Sequence, residues 1–235
     1  MIIIPARLQS TRFPRKILCD INGYPMVIAT ANRVKNIDDV VIATDSDEVM
    51  SICEKYGFKA ILTSSNHQSG TDRINEAAEI LKLKEEEIII NVQADEPFIE
   101  PEVVEAVKKK ITSDKQALMA SCYKKIQKDF ANDSNHVKVI VDINGYAIYF
   151  SRSKIPYDRE EHKDYLGHLG IYGFRCKNLK KFCSLPSSPL EQIEKLEQLR
   201  AIYNGEKIAM VEVKSESFGI DTREDLELAL KIFRD

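Results

Sequence analysis

Ile88-Ile89-Ile90-Asn91-Val92, followed by Gln93-Ala94-Asp95-Glu96-Pro97, is the stretch that decides the fold class. A continuous apolar run this short, closed by a polar loop and a proline, predicts a strand buried on both faces, the kind found in parallel sheets. Upstream, Ile2-Ile3-Ile4, Val40-Val41-Ile42-Ala43-Thr44 and Ala60-Ile61-Leu62 have the same character. Amphipathic segments separate them. One is introduced by Gly23-Tyr24-Pro25 and runs through Val34. A second can be capped within Asp45-Ser46-Asp47 and ends at Tyr56-Gly57, and a third opens at Thr71 or Asp72. Strands alternating with helices predict an α/β fold around a largely parallel sheet.

Downstream of about residue 113 the pattern changes. Leu118–Tyr123, Val137–Val141, Tyr146–Phe150 and Leu166–Phe174 alternate like strands, and Asn144-Gly145 between the middle two is a hairpin signal. The expectation is a single domain over residues 1–235, within which residues 115–175 form an antiparallel extension serving as a lid or dimerisation arm. The charged run 158–165 is expected to be exposed or mobile, and helices are expected at about 189–204 and 223–234.

Composition narrows the partners. Across 235 residues, 34 Lys and Arg stand against 37 Asp and Glu. Nucleic acid and anionic membranes need an excess of positive charge, so a small substrate is expected instead. No run approaches the roughly 20 apolar residues of a membrane span. Met1-Ile2-Ile3-Ile4-Pro5 has no signal-peptide character, and the expected location is the cytoplasm. Five cysteines without a C-x-x-C spacing read as reduced thiols.

In open parallel sheets ligands sit beyond the carboxyl ends of the strands, so the loops after Ile4, Thr44, Leu62 and Val92 should converge. The first, Pro5-Ala6-Arg7-Leu8-Gln9-Ser10-Thr11-Arg12-Phe13-Pro14-Arg15-Lys16, has four cations, two hydroxyls, no acid and no glycine. That set suits a polyphosphate. A dinucleotide fingerprint is missing: Gly167, Gly170 and Gly173 are spaced by threes inside an apparent strand, where close packing explains them. Asp95 follows the fourth strand, where a carboxylate can hold Mg²⁺ together with substrate phosphates. Asp221, in Gly219-Ile220-Asp221-Thr222, is either a second metal ligand or, like Thr222, a helix cap. Asp45 and Asp47 read as caps. His168 shares a strand face with Tyr172, a structural pair or part of a site. His136 and His162 carry no such signal, and Glu197 and Gln198 read as a solvated helix face.

Taken together, several blocks resemble the 3-deoxy-manno-octulosonate (Kdo) cytidylyltransferases. They are Pro5-Ala6-Arg7, Ser10-Thr11-Arg12, Pro14, Lys16, Ala43-Thr44-Asp45, His67–Arg73, Asn91–Pro97, Tyr149–Arg152, His168–Tyr172, Ser188–Glu191, Leu196–Arg200 and Gly219–Thr222. The resemblance spans the chain. It implies a nucleotidyltransferase-type fold, with a mostly parallel, mixed sheet flanked by helices, that couples CTP to Kdo. The products are CMP-Kdo and pyrophosphate, for lipopolysaccharide synthesis. It also implies a homodimer and Mg²⁺, read as two ions held by Asp95 and Asp221 with at least one arriving with CTP. By the same resemblance Arg7 and Lys16 bind phosphate, with Pro5, Ala6, Ser10, Thr11 and Arg12 completing the triphosphate loop. Ser69, Thr71 and Arg73 face the nucleoside, with Arg73 its polar reader. Gln93, Arg152, His168, Tyr172, Glu197 and Gln198 contact the sugar, His168 as a ligand and not a base. Arg7, Lys16, Asp95 and Asp221 would carry the in-line attack of the anomeric hydroxyl on the α-phosphorus. Against the family pattern, Ala94 and Arg15 stand where glycine is common, Ile220 where valine is common and Arg223 where proline is common. The segment between Pro156 and Leu166 is short, which leaves the role of Arg159 open. Cytidylyltransferases for 8-amino-Kdo or a nonulosonate, and a non-catalytic nucleotide-binding module, are the alternative readings.

Overall fold

A computed structural model describes residues 1–10, 13–160 and 162–233. In chain order the elements begin β1 (Ile2–Ala6), a 3-10 turn (Lys16–Leu18), β2 (Asp20–Ile21), β3 (Tyr24–Pro25), α1 (Met26–Val34), β4 (Val40–Thr44) and α2 (Asp47–Lys55). Next come β5 (Lys59–Leu62), α3 (Gly70–Ile80), β6 (Ile88–Asn91), α4 (Pro101–Ser113), β7 (Met119–Ile126) and α5 (Lys128–Asn132). The chain continues through β8 (Lys138–Val141), β9 (Ala147–Ser151), β10 (Tyr165–Arg175), α6 (Cys176–Ser184), α7 (Pro189–Glu194), α8 (Leu199–Tyr203), β11 (Ile208–Glu212) and α9 (Arg223–Ile232).

The main sheet runs β11-β7-β10-β6-β1-β4-β5, with β8 and β9 attached to β10. β6, β1, β4 and β5 are mutually parallel, and β10 enters antiparallel between β6 and β7. The later strands therefore do extend the sheet in antiparallel fashion. Two of them, β7 and β10, lie within it and not on an outlying arm.

The alternation of the short runs explains the layering. Ile2, Ile4 and Ile90 face a core shared with Val27, Ile28, Val104 and Val107 of α1 and α4. Ile3 and Ile89 face Ile74 and Ala77 of α3 and Phe182 of α6 on the other side. Each of these isoleucines is fully buried, worth about 1.5–3 kcal/mol apiece in transfer terms. Both faces being covered, the sheet presents its strand ends as the place for polar loops.

Several local expectations shift. Asn22-Gly23, at φ 50° and 88°, turns a two-residue hairpin, β2 to β3, ahead of α1. The dipeptide carries the same signal as Asn144-Gly145, but its flanking strands are too short to show alternation. Ser46 caps α2 and Ser69 caps α3. Asp45 and Asp47 therefore do not cap, and neither Thr71 nor Asp72 opens α3. The helix expected at 189–204 is two helices, broken where Lys195 adopts φ 53°. The charged run 158–165 is held at its two ends, because Asp158 pairs with Lys128 at 2.7 Å and Lys154 at 3.0 Å and accepts from the buried Tyr165 hydroxyl. Between them Arg159, Glu160, Lys163 and Asp164 are exposed as expected, and Glu161 lies outside the described residues. Among the described residues no helix is long and apolar enough to cross a membrane.

Candidate active site

A cleft of about 280 Å³ opens at the carboxyl ends of β1 and β6 and the start of α3. Pro5, Arg7 and Ser10 come from the first loop, His67, Ser69, Gly70 and Arg73 from the third, and Gln93, Ala94 and Asp95 from the fourth. Lys16 and Asp221 complete it. Ala6 ends β1 as a fully buried residue beneath the loop. Thr11 and Arg12 lie outside the described residues.

At the floor, the Lys16 ammonium sits 2.6 Å from Asp95 Oδ2 and 3.0 Å from Asp221 Oδ1. These residues are far apart in sequence, and one backbone bond brings the carboxylates together: Ile220 N–H donates to Asp95 O at 2.9 Å. A small apolar cluster of Phe13, Ile21, Met26, Phe98, Ile220 and Ala229 clamps the first loop and α9 around that bond. Capping of α9 falls to Thr222, with Asp225 closing a capping box, so Asp221 turns to the cleft. Burial works against the Lys16 charge, yet Asp95 and Asp221 outweigh it and hold its pKa above the usual lysine value. Next door, burial pushes the Glu96 carboxyl up to about 8. The two departures from glycine behave differently. Ala94 keeps an ordinary negative φ, whereas Arg15 sits at φ 57°, where glycine is unstrained, and pairs with Glu48 at 2.5 Å.

The third loop is held by contacts that local pattern does not reveal. Gly70 lets α3 abut β1, since a Cβ there would stand 3.0 Å from Pro5 Cγ. The start of α3 therefore faces the cleft, a setting that favours anions. Arg73 is 2 % exposed, donating to Thr63 Oγ1 at 2.6 Å and to Asp45 Oδ2 at 2.8 Å. Asp45 is thus an anchor for Arg73 and not a helix cap.

Four of the expected sugar contacts, His168, Tyr172, Glu197 and Gln198, form a second group reached through α3, whereas Gln93 lines the cleft itself. Thr71 Oγ1 donates to Glu197 Oε1 at 2.6 Å, and Tyr172 Oη donates to Gln198 Oε1 at 3.1 Å. Because the helix breaks at Lys195, Glu197 and Gln198 lie inward and are not a solvated face. Glu197 Oε2 and Gln198 Nε2 are buried and make no hydrogen bond among the described residues, as is Asn91 Nδ2. Burial raises the Glu197 carboxyl above its ordinary value and pushes the Tyr172 phenol well above its own. Asn91, missed in the sequence reading, accepts from Gln93 Nε2 at 3.1 Å and so orients that amide. His168 lies 5.6 Å from the Tyr172 ring and 4.9 Å from the Phe150 ring, centroid to centroid. Arg152 donates to the carbonyls of Glu194 (2.8 Å) and Ser134 (3.1 Å). Among the expected glycines, Gly167 and Gly173 are required by packing, but a Cβ on Gly170 would meet nothing within 4 Å.

Two carboxylates that already draw an ammonium between them are a donor set suited to a hard, oxygen-seeking cation. No cluster of three or more acidic, histidine or cysteine side chains suited to a metal occurs among the described residues. Any cation held here would therefore complete its shell from substrate and water, as Mg²⁺ at phosphate sites does.

The cytidylyltransferase family profile matches residues 1–208. Proteins named 3-deoxy-manno-octulosonate cytidylyltransferase are 61% identical over 97% of both chains in a Nitratiruptor species and 54% identical over 100% of both in Wolinella succinogenes. The structure of CMP:2-keto-3-deoxy-manno-octonic acid synthetase complexed with CTP superposes with a TM-score of 0.91 at 39% identity, over 98% of this chain and 96% of that one. A putative glucose-1-phosphate thymidylyltransferase from Bacillus anthracis shares the fold, with a TM-score of 0.68 at 16% identity over 100% of this chain and 95% of that one. With relatives this similar over nearly the full length of both partners, the chain belongs to the 3-deoxy-manno-octulosonate cytidylyltransferases.

Proposed function

We propose that this chain transfers CMP from CTP to the anomeric hydroxyl of Kdo, giving CMP-Kdo and pyrophosphate for lipopolysaccharide synthesis. The observation that carries the mechanism is the Lys16 ammonium held between Asp95 and Asp221 at the floor of the cleft. Asp95 and Asp221 are the residues that would hold Mg²⁺. When bound, Mg²⁺ supplies positive charge against the triphosphate and lets a carboxylate sugar approach it.

The chain's own groups do the remaining work. Lys16 offsets part of the charge of the two carboxylates before substrates arrive, and its ammonium then serves the phosphates as charge builds on them. Arg7, exposed at the mouth, and Ser10 meet the outer phosphates. Thr11 and Arg12 belong to the same loop by sequence. Ser69 and the first amides of α3 face the nucleotide, and Arg73, braced by Asp45 and Thr63, presents the rest of its guanidinium to it. Glu197 Oε2 offers an acceptor and Gln198 Nε2 a donor, both already desolvated, to the sugar. Gln93, Tyr172, His168 and Arg152 complete that contact. Holding the sugar hydroxyl in line with the α-phosphorus is a positioning contribution. No side chain is assigned as general base.

The unit is taken to be a homodimer in the cytoplasm, joined through residues 115–175, where Ile143 and Ile148 are exposed. A monomer in sedimentation at working concentration would remove that part. Activity is tested by pyrophosphate release from CTP with Mg²⁺, comparing Kdo, 8-amino-Kdo and N-acetylneuraminate, with an EDTA control. Release with Kdo alone, abolished by EDTA, is the expected result. Release with another sugar only would move the substrate, and silence with all three would leave a nucleotide-binding module.

A further inference from the structure

Opposite Ser121 the pairing of β10 with β7 slips, running from Leu169↔Cys122 directly to Gly173↔Ala120. Gly170, Ile171 and Tyr172 therefore face the single residue Ser121, which is fully buried. Two carbonyl oxygens of the bulge turn onto its hydroxyl, Ile171 O at 2.9 Å and Leu169 O at 3.2 Å. A third neighbour is His168 Nε2, at 2.9 Å.

One hydroxyl has one proton, and a carbonyl cannot donate. Were that proton given to His168, both carbonyl oxygens would face the lone pairs of Ser121 Oγ at hydrogen-bond distance with no proton between them. The arrangement is satisfied when Ser121 donates to the bulge, chiefly to Ile171 O, and accepts from an N–H on His168 Nε2. Resting on the sugar-site reading above, we propose that Ser121 is a positioning residue. It fixes His168 as the neutral Nε2–H tautomer, so that Nδ1 meets the sugar as an acceptor from a hydroxyl and not as a cation for its carboxylate.

The surroundings agree. Nδ1 makes no hydrogen bond among the described residues, and the residue keeps partial exposure. The Phe150 and Tyr172 rings hold the imidazole plane. Burial favours the neutral ring, pushing its pKa down to about 3.

The test is long-range proton–nitrogen NMR on the ligand-free full chain, with the His168 signals assigned by loss in His168→Gln. Nε2 is expected at the shift of a protonated nitrogen and Nδ1 at that of an unprotonated one. The Ser121→Ala variant is expected to lose that bias and to raise KM for Kdo about tenfold, the weight of a mis-set hydrogen bond, while KM for CTP holds. Ser121→Thr, which keeps the hydroxyl, is expected to restore both. An Nδ1–H ring in the unaltered protein overturns the proposal even if Ser121→Ala does not fold, as does a Ser121→Ala variant with unchanged KM for Kdo. An Nε2–H ring in a chain that turns over no sugar would sustain the tautomer and overturn the site reading beneath it.

Discussion

Replacing Lys16 with methionine keeps the buried stem of the side chain and removes only the charge that joins Asp95 to Asp221. The two carboxylate oxygens it touches can be no further apart than the sum of 2.6 Å and 3.0 Å, about 5.6 Å. At an effective dielectric near 20, two like charges at that separation repel by about 3 kcal/mol. The side chains of Asp95 and Asp221 are 29% and 48% exposed, so solvent screening brings the figure down to about 1–2 kcal/mol. For a chain of this length each kcal/mol moves the melting temperature by about 2–4 °C. In EDTA, Lys16→Met is therefore expected to melt about 4 °C below the unaltered protein. Millimolar Mg²⁺ is expected to close that gap, because the cation takes the place of the ammonium. The variant should also bind Mg²⁺ about tenfold more tightly in a calorimetric titration without CTP, since no ammonium competes and 1.4 kcal/mol is a factor of ten. Turnover is nonetheless expected to fall, because the phosphates lose their lysine. An equal melting deficit with and without Mg²⁺, or weaker Mg²⁺ binding in the variant, would refute the assignment of these carboxylates as a cation site.

Asp95→Asn is expected to lower kcat by several orders of magnitude with a native circular-dichroism spectrum, and near-normal turnover would remove Asp95 from the reaction. Gly167→Ala should cost about 1–3 kcal/mol in urea unfolding, because its Cβ would lie 2.7 Å from Ile126 Cγ2, whereas Gly170→Ala should stay within about 0.5 kcal/mol. Equal costs would show that the bulge packs differently. Arg73→Ala leaves the Asp45 carboxylate, only 12% exposed, without its partner, and is expected to destabilise by about 3–5 kcal/mol; a loss under 1 kcal/mol would mean Asp45 finds another. At the N-terminus, burial opposes the Asp38 charge, but Lys108 and the terminal ammonium win and lower its pKa to about 2. A depressed carboxyl contributes stability above its unfolded value of about 3.9 and loses it as pH falls through the folded one. Between about pH 4 and pH 2 the unaltered protein should therefore lose stability more steeply than Asp38→Asn, and parallel acid limbs would contradict that pairing.

The strands beneath the site were legible because both faces of β1, β4 and β6 are covered, which writes burial as continuous apolar runs. The converging loops followed from that, since polarity placed after a buried strand has one end of the sheet to occupy. What resisted reading was closure between distant segments. The charges of Lys16, Asp95 and Asp221 were visible, but their meeting depends on Ile220 binding the Asp95 carbonyl and on Phe13 packing with α9. The resemblance names Arg73 as a reader of the nucleotide, and nothing nearby in sequence shows that the end of β4 delivers Asp45 beside it. Glu197 and Gln198 looked solvated for a related reason. The break at Lys195 carries no glycine or proline, and a lysine at φ 53° is tolerated there only because flanking contacts, such as Arg200 on Glu191 at 2.6 Å, hold the two short helices in place. The resemblance could name these residues without saying how they are held. Four of the candidate side chains are braced by a partner from elsewhere in the chain: Lys16 by the loop after β6 and the approach to α9, Arg73 by the loop after β4, Glu197 by α3, His168 by β7. Preorganisation of that kind is a property of contacts between elements. It therefore has to be tested in pairs, Ser121 with His168 or Asp45 with Arg73, since neither member alone reports it.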